Sequence, residues 1–202
     1  MTGAHESTPS DALLLERWQA GDIESGHALC KRYYATISRF FRLRIPSHVD
    51  ARDLTQQTFL GIATKHSEIR DFRRFLYTVR SRRLKDYLRD VGRRRGRAEP
   101  YRTREDKHSG VETRVDRDKR KHTVRAALAE LNPERFEALW LHYADELTAT
   151  EIAEVLNLPP GTIKSRIRLG KTDLARALQS LKTGAPTLHE IFRINKPRED
   201  KP

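Results

Sequence analysis

Thr148-Ala-Thr-Glu-Ile-Ala-Glu-Val-Leu-Asn-Leu-Pro-Pro-Gly-Thr-Ile-Lys-Ser-Arg-Ile167 is the stretch that decides the fold. Thr148 and Glu151 have the T-x-x-E spacing of a capping box, which satisfies free backbone donors at a helix start. Ile152, Val155 and Leu156 then give that helix one apolar face, with Ala153 small where a second helix must come close. Asn157 tolerates a left-handed turn. Pro159 and Pro160 suit the entry to a new helix, where a missing N–H costs nothing. On that second helix Ile163, Ile167 and Leu174 are expected inside, with Gly170 between them. Lys164, Ser165, Arg168 and Lys171 then share the outer surface. Two short helices about a tight turn, the second with a polar and cationic face, form a helix-turn-helix that fits a DNA major groove. The same spacing also suits a packed helical hairpin with a solvated face, so the rest of the chain has to arbitrate.

Upstream, Thr123 to Leu131 and Glu134 to Tyr143 read as two further helices separated at Asn132-Pro133. The first ninety residues are helical in pattern as well. Ser10 can cap a helix carrying Leu13, Leu14 and Trp18, with Gly21 as its stop. Asp22 can cap the next, which carries Leu29, Tyr33, Ile37, Phe40 and Phe41. Asp50 is expected to cap a third, with Leu54, Thr58, Phe59 and Ile62. A fourth runs from about Asp71 to Val91, its Phe72, Phe75, Leu76 and Val79 at i, i+3, i+4, i+7. No alternating strand pattern occurs, and the fold is expected to be all-α: two small helical domains.

The net charge of +12 on 202 residues points to an anionic partner. Residues 122–182 balance to zero, so the cations of the helix-turn-helix are concentrated there rather than spread. Half of the excess lies between Arg93 and Lys121, where 12 basic residues face 6 acidic ones. With few apolar side chains and Gly96, Pro100 and Gly110, that stretch is expected to be a flexible basic linker. The expected organisation is 10–92, linker 93–121, 122–182, and a tail 183–202 with Leu188, Ile191, Phe192 and Ile194. No apolar run is long enough to span a bilayer, and Met1 to Ser10 lacks a signal core. A cytoplasmic protein without membrane insertion is expected. Cys30 is the single cysteine and reads as a small buried apolar residue.

Several of these segments resemble one family. Ile152-Ala-Glu154 and Pro160-Gly-Thr-Ile-Lys-Ser-Arg166 resemble region four of bacterial RNA polymerase sigma factors of the extracytoplasmic-function (ECF) type. The lead-in Leu131-Asn-Pro-Glu-Arg-Phe-Glu-Ala-Leu139 is similar to the family's L-P-x-x-x-R-x-x-L. Asp50-Ala-Arg-Asp-Leu-Thr-Gln-Gln-Thr-Phe-Leu60 resembles the region-two core, and Phe72-Arg-Arg-Phe-Leu-Tyr77 with Asp86-Tyr-Leu-Arg89 the segments after it. The resemblance covers about residues 10–92 and 122–182.

It implies a sigma factor that binds core RNA polymerase and directs promoter-specific initiation. Region two would dock on the β′ clamp helices through Asp50, Asp53, Gln56 and Gln57; Gln57 replaces the family's usual Glu. The fourth helix and the loop before it would open the −10 element. Arg70, Arg73, Arg74, Arg80, Arg82, Arg83 and Lys85 would meet phosphates, and Phe75 and Tyr77 would offer rings to unpaired bases. Phe75 stands where the family usually has Trp, and its place on the apolar stripe equally fits a core residue. Region four, associated with the β flap, would read the −35 duplex through Lys164, Ser165, Arg166, Arg168 and Lys171. Leu169 stands where many relatives have Arg. The implied partners are core polymerase and promoter DNA, with an anti-sigma protein left open.

A stand-alone helix-turn-helix regulator would explain the DNA-reading end but not the Asp50–Leu60 core. A recombinase or nuclease would need clustered carboxylates or an activated nucleophile. Asp50 and Asp53 are accounted for by docking, and the His spacing suits no metal. No enzymatic activity, metal or cofactor is expected.

Overall fold

The computed structural model describes residues 8–95, 124, 126–180 and 191. Helices and one 3-10 turn are its regular elements, and no strand occurs among the described residues.

Four helices build the first half. α1 (Asp11–Gln19) starts where the Ser10 side chain accepts from the Leu13 N–H. Gly21 ends the connection with φ +101°, a backbone that favours glycine. α2 (Ile23–Arg44) is capped by Asp22, whose carboxylate accepts from the Glu24 and Ser25 N–H groups. α3 (His48–Ala63) is capped by Ser47 rather than Asp50. Ser47 is extended after Pro46 and accepts from the Asp50 N–H, which leaves Asp50 in the first turn, where a carboxylate suits the helix dipole. A 3-10 turn (His66–Glu68) leads to α4 (Phe72–Arg95), which is longer than its apolar stripe suggests. Leu29, Ile37, Phe41, Ile62, Leu76 and Leu84 form the core between these helices, all at most 1% exposed. Gly26 on α2 lies so close to Trp18 on α1 that a Cβ there would meet the indole at 2.6 Å.

The second half begins with α5 (126–130) and continues as α6 (Pro133–Tyr143), α7 (Ala149–Leu156) and α8 (Pro160–Ser180). Asn132 caps α6, and Pro133 occupies the first turn. The capping box at Thr148 and Glu151 is present with both of its hydrogen bonds. Asn157 ends α7 in the left-handed conformation, φ 54°. Ile163, Ile167 and Leu174 point inward as the spacing expects. Gly170 lets α8 approach α6, since a Cβ there would stand 3.0 Å from the Leu139 side chain. Cys30 is half-buried, and burial pushes its thiol up from the usual range.

Residues 96–123, which include most of the expected linker, lie outside the described residues, as does most of the tail. Ile191 is the tail residue that is described; it is helical and buried. Among the described residues no helix is long and apolar enough to cross a membrane.

Candidate nucleic-acid interface

α8 presents Lys164, Ser165, Arg168 and Lys171 to solvent, and these four share the surface that the spacing assigns. The turn at Asn157 and the proline start of α8 fix that helix against α7. Arg166 behaves differently. It is half-buried, and its guanidinium donates to the Glu134 carboxylate at 2.6 Å. Leu169 is also half-buried. Lys171 holds its ammonium 5.3 Å from the centre of the Tyr143 ring.

α4 carries the second set of candidates, and the structure divides them. Arg70, Arg82 and Lys85 are exposed, and Arg83 and Phe75 are half-exposed. Arg73, Arg74, Tyr77 and Arg80 instead lie along the side of α4 that meets α6 and α7. Arg80 is wholly buried. Its Nη1 donates to Asp145 Oδ2 at 2.8 Å, and Asp145 is as buried as its partner. The Arg80 guanidinium lies 4.0 Å over the Phe40 ring and 4.7 Å from that of Tyr77, within cation–π range of both. Arg73 donates to the Asp145 main-chain carbonyl. Arg74 pairs with Glu154 at 3.1 Å. Thr78 donates to the Val155 carbonyl at 3.2 Å, and Lys85 stands 3.9 Å from Glu137.

α2 contributes to the same contact. Phe40 sits 5.5 Å from both Phe136 and Trp140. Arg39 lies over the Trp140 ring, and Arg44 donates to the Leu128 and Ala129 carbonyls at the end of α5. Burial shapes the protonation of these groups. It raises Asp145 above the usual carboxylate range, against the opposing pull of Arg80. Burial likewise pushes the Tyr77 phenol up to about 12, and it lowers Arg39 and Arg44.

α3 carries the third set. Asp53, Gln56 and Gln57 are exposed along one side of it. Asp50 is half-buried and accepts from the Tyr87 hydroxyl at 2.8 Å, so part of its acceptor capacity is spent within the fold. Beside Asp53 and Gln57 runs an apolar groove of about 910 Å³ between α2 and α3, lined by Cys30, Tyr34, Phe59 and Leu60. Tyr34 and Phe59 stack at 5.7 Å, and Leu60 is 65% exposed. Sequence reasoning found the polar edge of this groove and missed its apolar floor. The signal was there in Tyr34, an aromatic off the inward stripe of α2.

The loop before α4 is held by residues that sequence reasoning also missed. Gln19 Nε2 donates to the carbonyls of His66 and Ile69, both at 2.8 Å. Trp18 stacks on His66 with 4.7 Å between ring centres.

With this geometry in place, comparison with known proteins is specific. The family model for Sigma-70 region 2 matches residues 29–94, and that for Sigma-70 region 4 matches residues 121–181. The ECF RNA polymerase sigma factor BldN of Streptomyces coelicolor is 29% identical over 173 residues, 82% of this chain. The chain spans 64% of the length of BldN, less than two thirds. The RNA polymerase sigma-H factor of Pseudomonas aeruginosa is 27% identical over 183 residues, covering 85% of this chain and 95% of that one. Among solved structures, CnrH in complex with the cytosolic domain of CnrY superposes with a TM-score of 0.64 at 19% identity, over 85% of this chain and 99% of that chain.

Proposed function

We propose a division of labour from one premise: the chain belongs to the sigma-70 family of RNA polymerase sigma factors, as a member of the extracytoplasmic-function type. In this division residues 10–92 dock on core polymerase and act on the −10 element, residues 93–121 link, and residues 122–182 read the −35 element. The observation that carries it is the outer face of α8, where Lys164, Ser165, Arg168 and Lys171 stand together on a helix-turn-helix.

For docking, Asp53, Gln56 and Gln57 provide the polar contacts to the β′ clamp helices, and the Tyr34–Phe59–Leu60 groove beside them provides apolar area. Asp50 acts mainly by holding Tyr87 and thereby setting α3 against α4. At the −10 element the cations of α4 meet phosphates, and a half-exposed Phe75 is placed to stack on an unpaired base. At the −35 element α8 enters the major groove, with the β flap carrying this half. Arg166 serves by pinning α8 to the foot of α6 through Glu134, so that the neighbouring Ser165 and Arg168 are aimed. The factor supplies recognition and strand separation, while the phosphodiester chemistry stays with the polymerase. CnrH is seen with the cytosolic domain of CnrY, and an anti-sigma protein is proposed as a partner here too.

The test is core-dependent initiation. The purified chain plus core polymerase should start transcription at discrete sites on genomic fragments, and the chain alone should not protect those sites strongly. A chain that binds them alone and competes with polymerase is a stand-alone regulator. Asp53→Arg should weaken binding to core while leaving the helical signal intact, because the position is exposed.

A further inference from the structure

We propose that His66 is a specificity-determining residue, held by Trp18 and Gln19 of α1 for contact with an unpaired base of the −10 strand. The inference rests on reading the loop before α4 as part of the −10 surface. Sequence reasoning assigned two rings to unpaired bases, Phe75 and Tyr77. Tyr77 is 3% exposed, so its ring is spent within the fold. Residues 65–71 carry one ring, that of His66, and it is half-exposed. One face of it stacks on the Trp18 indole, with the two planes 13° apart. Its Nδ1 lies 2.8 Å from the Ala63 carbonyl. A carbonyl only accepts, so Nδ1 carries the proton, and Nε2 of the neutral ring keeps a lone pair. Nε2 has no hydrogen-bond partner among the described residues.

The main chain beneath this ring is held as firmly. Gln19 donates to the His66 and Ile69 carbonyls, both at 2.8 Å, and the Ile69 side chain is buried. Trp18 is fixed in turn. Gly26 of α2 leaves the room its indole fills, and Phe72, the first residue of α4, lies 6.5 Å from it. A ring already ordered in this way loses little further freedom on binding. Its open atom is an acceptor, and that selects among bases. Adenine and cytosine carry an amino donor at the position where guanine and thymine carry a carbonyl. His66 therefore favours A or C over G or T at one −10 position. Lys65 and Arg70 are exposed at the two ends of the turn, where they supply the cations that a single-stranded backbone needs. Glu68, exposed between them, disfavours phosphate there and leaves that stretch to base contact. Trp18 and Gln19 are positioning residues, acting on the base through His66.

The test uses the holoenzyme, full chain with core polymerase, on promoters randomised across the −10 element. The parent should prefer A or C at one position by roughly fivefold, the worth of one hydrogen bond. His66→Phe keeps a ring for Trp18 to stack on and removes both nitrogens. It should flatten the preference at that position and leave the preferences at the other positions unchanged. Trp18→Phe, which conserves a ring, should keep the preference, whereas Trp18→Leu and Gln19→Ala should each lower it at the same position. Affinity for core polymerase, measured alongside, reports that each variant is folded. A preference that survives His66→Phe overturns the proposal and leaves the −10 reading of this half standing. An equal loss at every −10 position also overturns it, by making His66 a structural residue only. A parent holoenzyme indifferent to the −10 sequence overturns the reading itself, and the proposal with it. If His66→Phe fails to bind core polymerase, Gln19→Ala decides: an unchanged base preference there counts against the proposal.

Discussion

At the scale of single residues, the side chains that sequence reasoning placed best are those with only solvent opposite them. Lys164, Ser165, Arg168 and Lys171 needed nothing but helical spacing, and all four are exposed. Arg80 was not legible in the same way. A lone Arg on a cationic helix reads as a solvated charge, and its partner Asp145 lies 65 residues away, beyond any local pattern. The pairing of Arg166 was hidden for the same reason, since Glu134 sits 32 residues upstream. Two predictions belong here. Arg168→Ala should relax preference at one −35 base pair at a cost of roughly 1–3 kcal/mol, because Arg can address both acceptors of a guanine. Lys164→Ala, near the helix start, should weaken all promoters similarly and reduce the salt slope by about one charge. Holoenzyme binding to a −35 library at several salt concentrations separates the two, and a uniform loss for Arg168→Ala would make it a phosphate contact. Gln19→Ala removes both bonds that hold the His66–Ile69 turn. It should cost about 1 kcal/mol of stability and speed amide exchange in residues 65–71; unchanged exchange there would show that Trp18 alone holds the loop.

At the scale of elements, local chemistry decided almost everything. Ser10, Asp22 and Thr148 each cap the helix that their position suggests. The exception, Ser47 in place of Asp50, is a choice between two good caps three residues apart, made by the chain geometry after Pro46. The capping box yields a test with a sign. Glu151 is held below its ordinary value of 4.5 because it accepts from the Thr148 N–H and hydroxyl. Its contribution to stability is therefore fully present above that value and is lost as pH falls through the lower value of the folded state. Thr148→Ala should cost about 1 kcal/mol and flatten the acid limb of the stability–pH curve. Thermal unfolding between pH 3 and 6 reads both, and an unaltered limb would assign the acid sensitivity to other carboxylates, Asp22 first among them.

At the scale of the whole molecule, the charge balance pointed to an anionic partner but not to the arrangement of the halves. The composition shows 40 basic residues against 28 acidic ones. It does not show that acids of the second half would sit on bases of the first. That pairing depends on the docking of one folded surface against another, and no periodicity encodes it. It also makes the contact sensitive to ionic strength at its rim, where Arg74 and Glu154 are half-exposed, and insensitive at its centre.

The same contact gives the molecule an optical gauge. The chain has two tryptophans, and one of them, Trp140, is fully buried in the seam between the halves, against Phe40 and under the Arg39 guanidinium. The other, Trp18, lies where α1 meets Gly26 of α2, stacked on His66. In a Trp18→Phe background the emission of Trp140 alone should be blue-shifted in the free chain and move to the red when the seam parts, whether by Asp145→Asn or by core polymerase. Stopped-flow mixing with core polymerase would then time the parting directly, without a dye. An emission maximum that stays blue in the polymerase complex would mean that the factor works with its halves still joined.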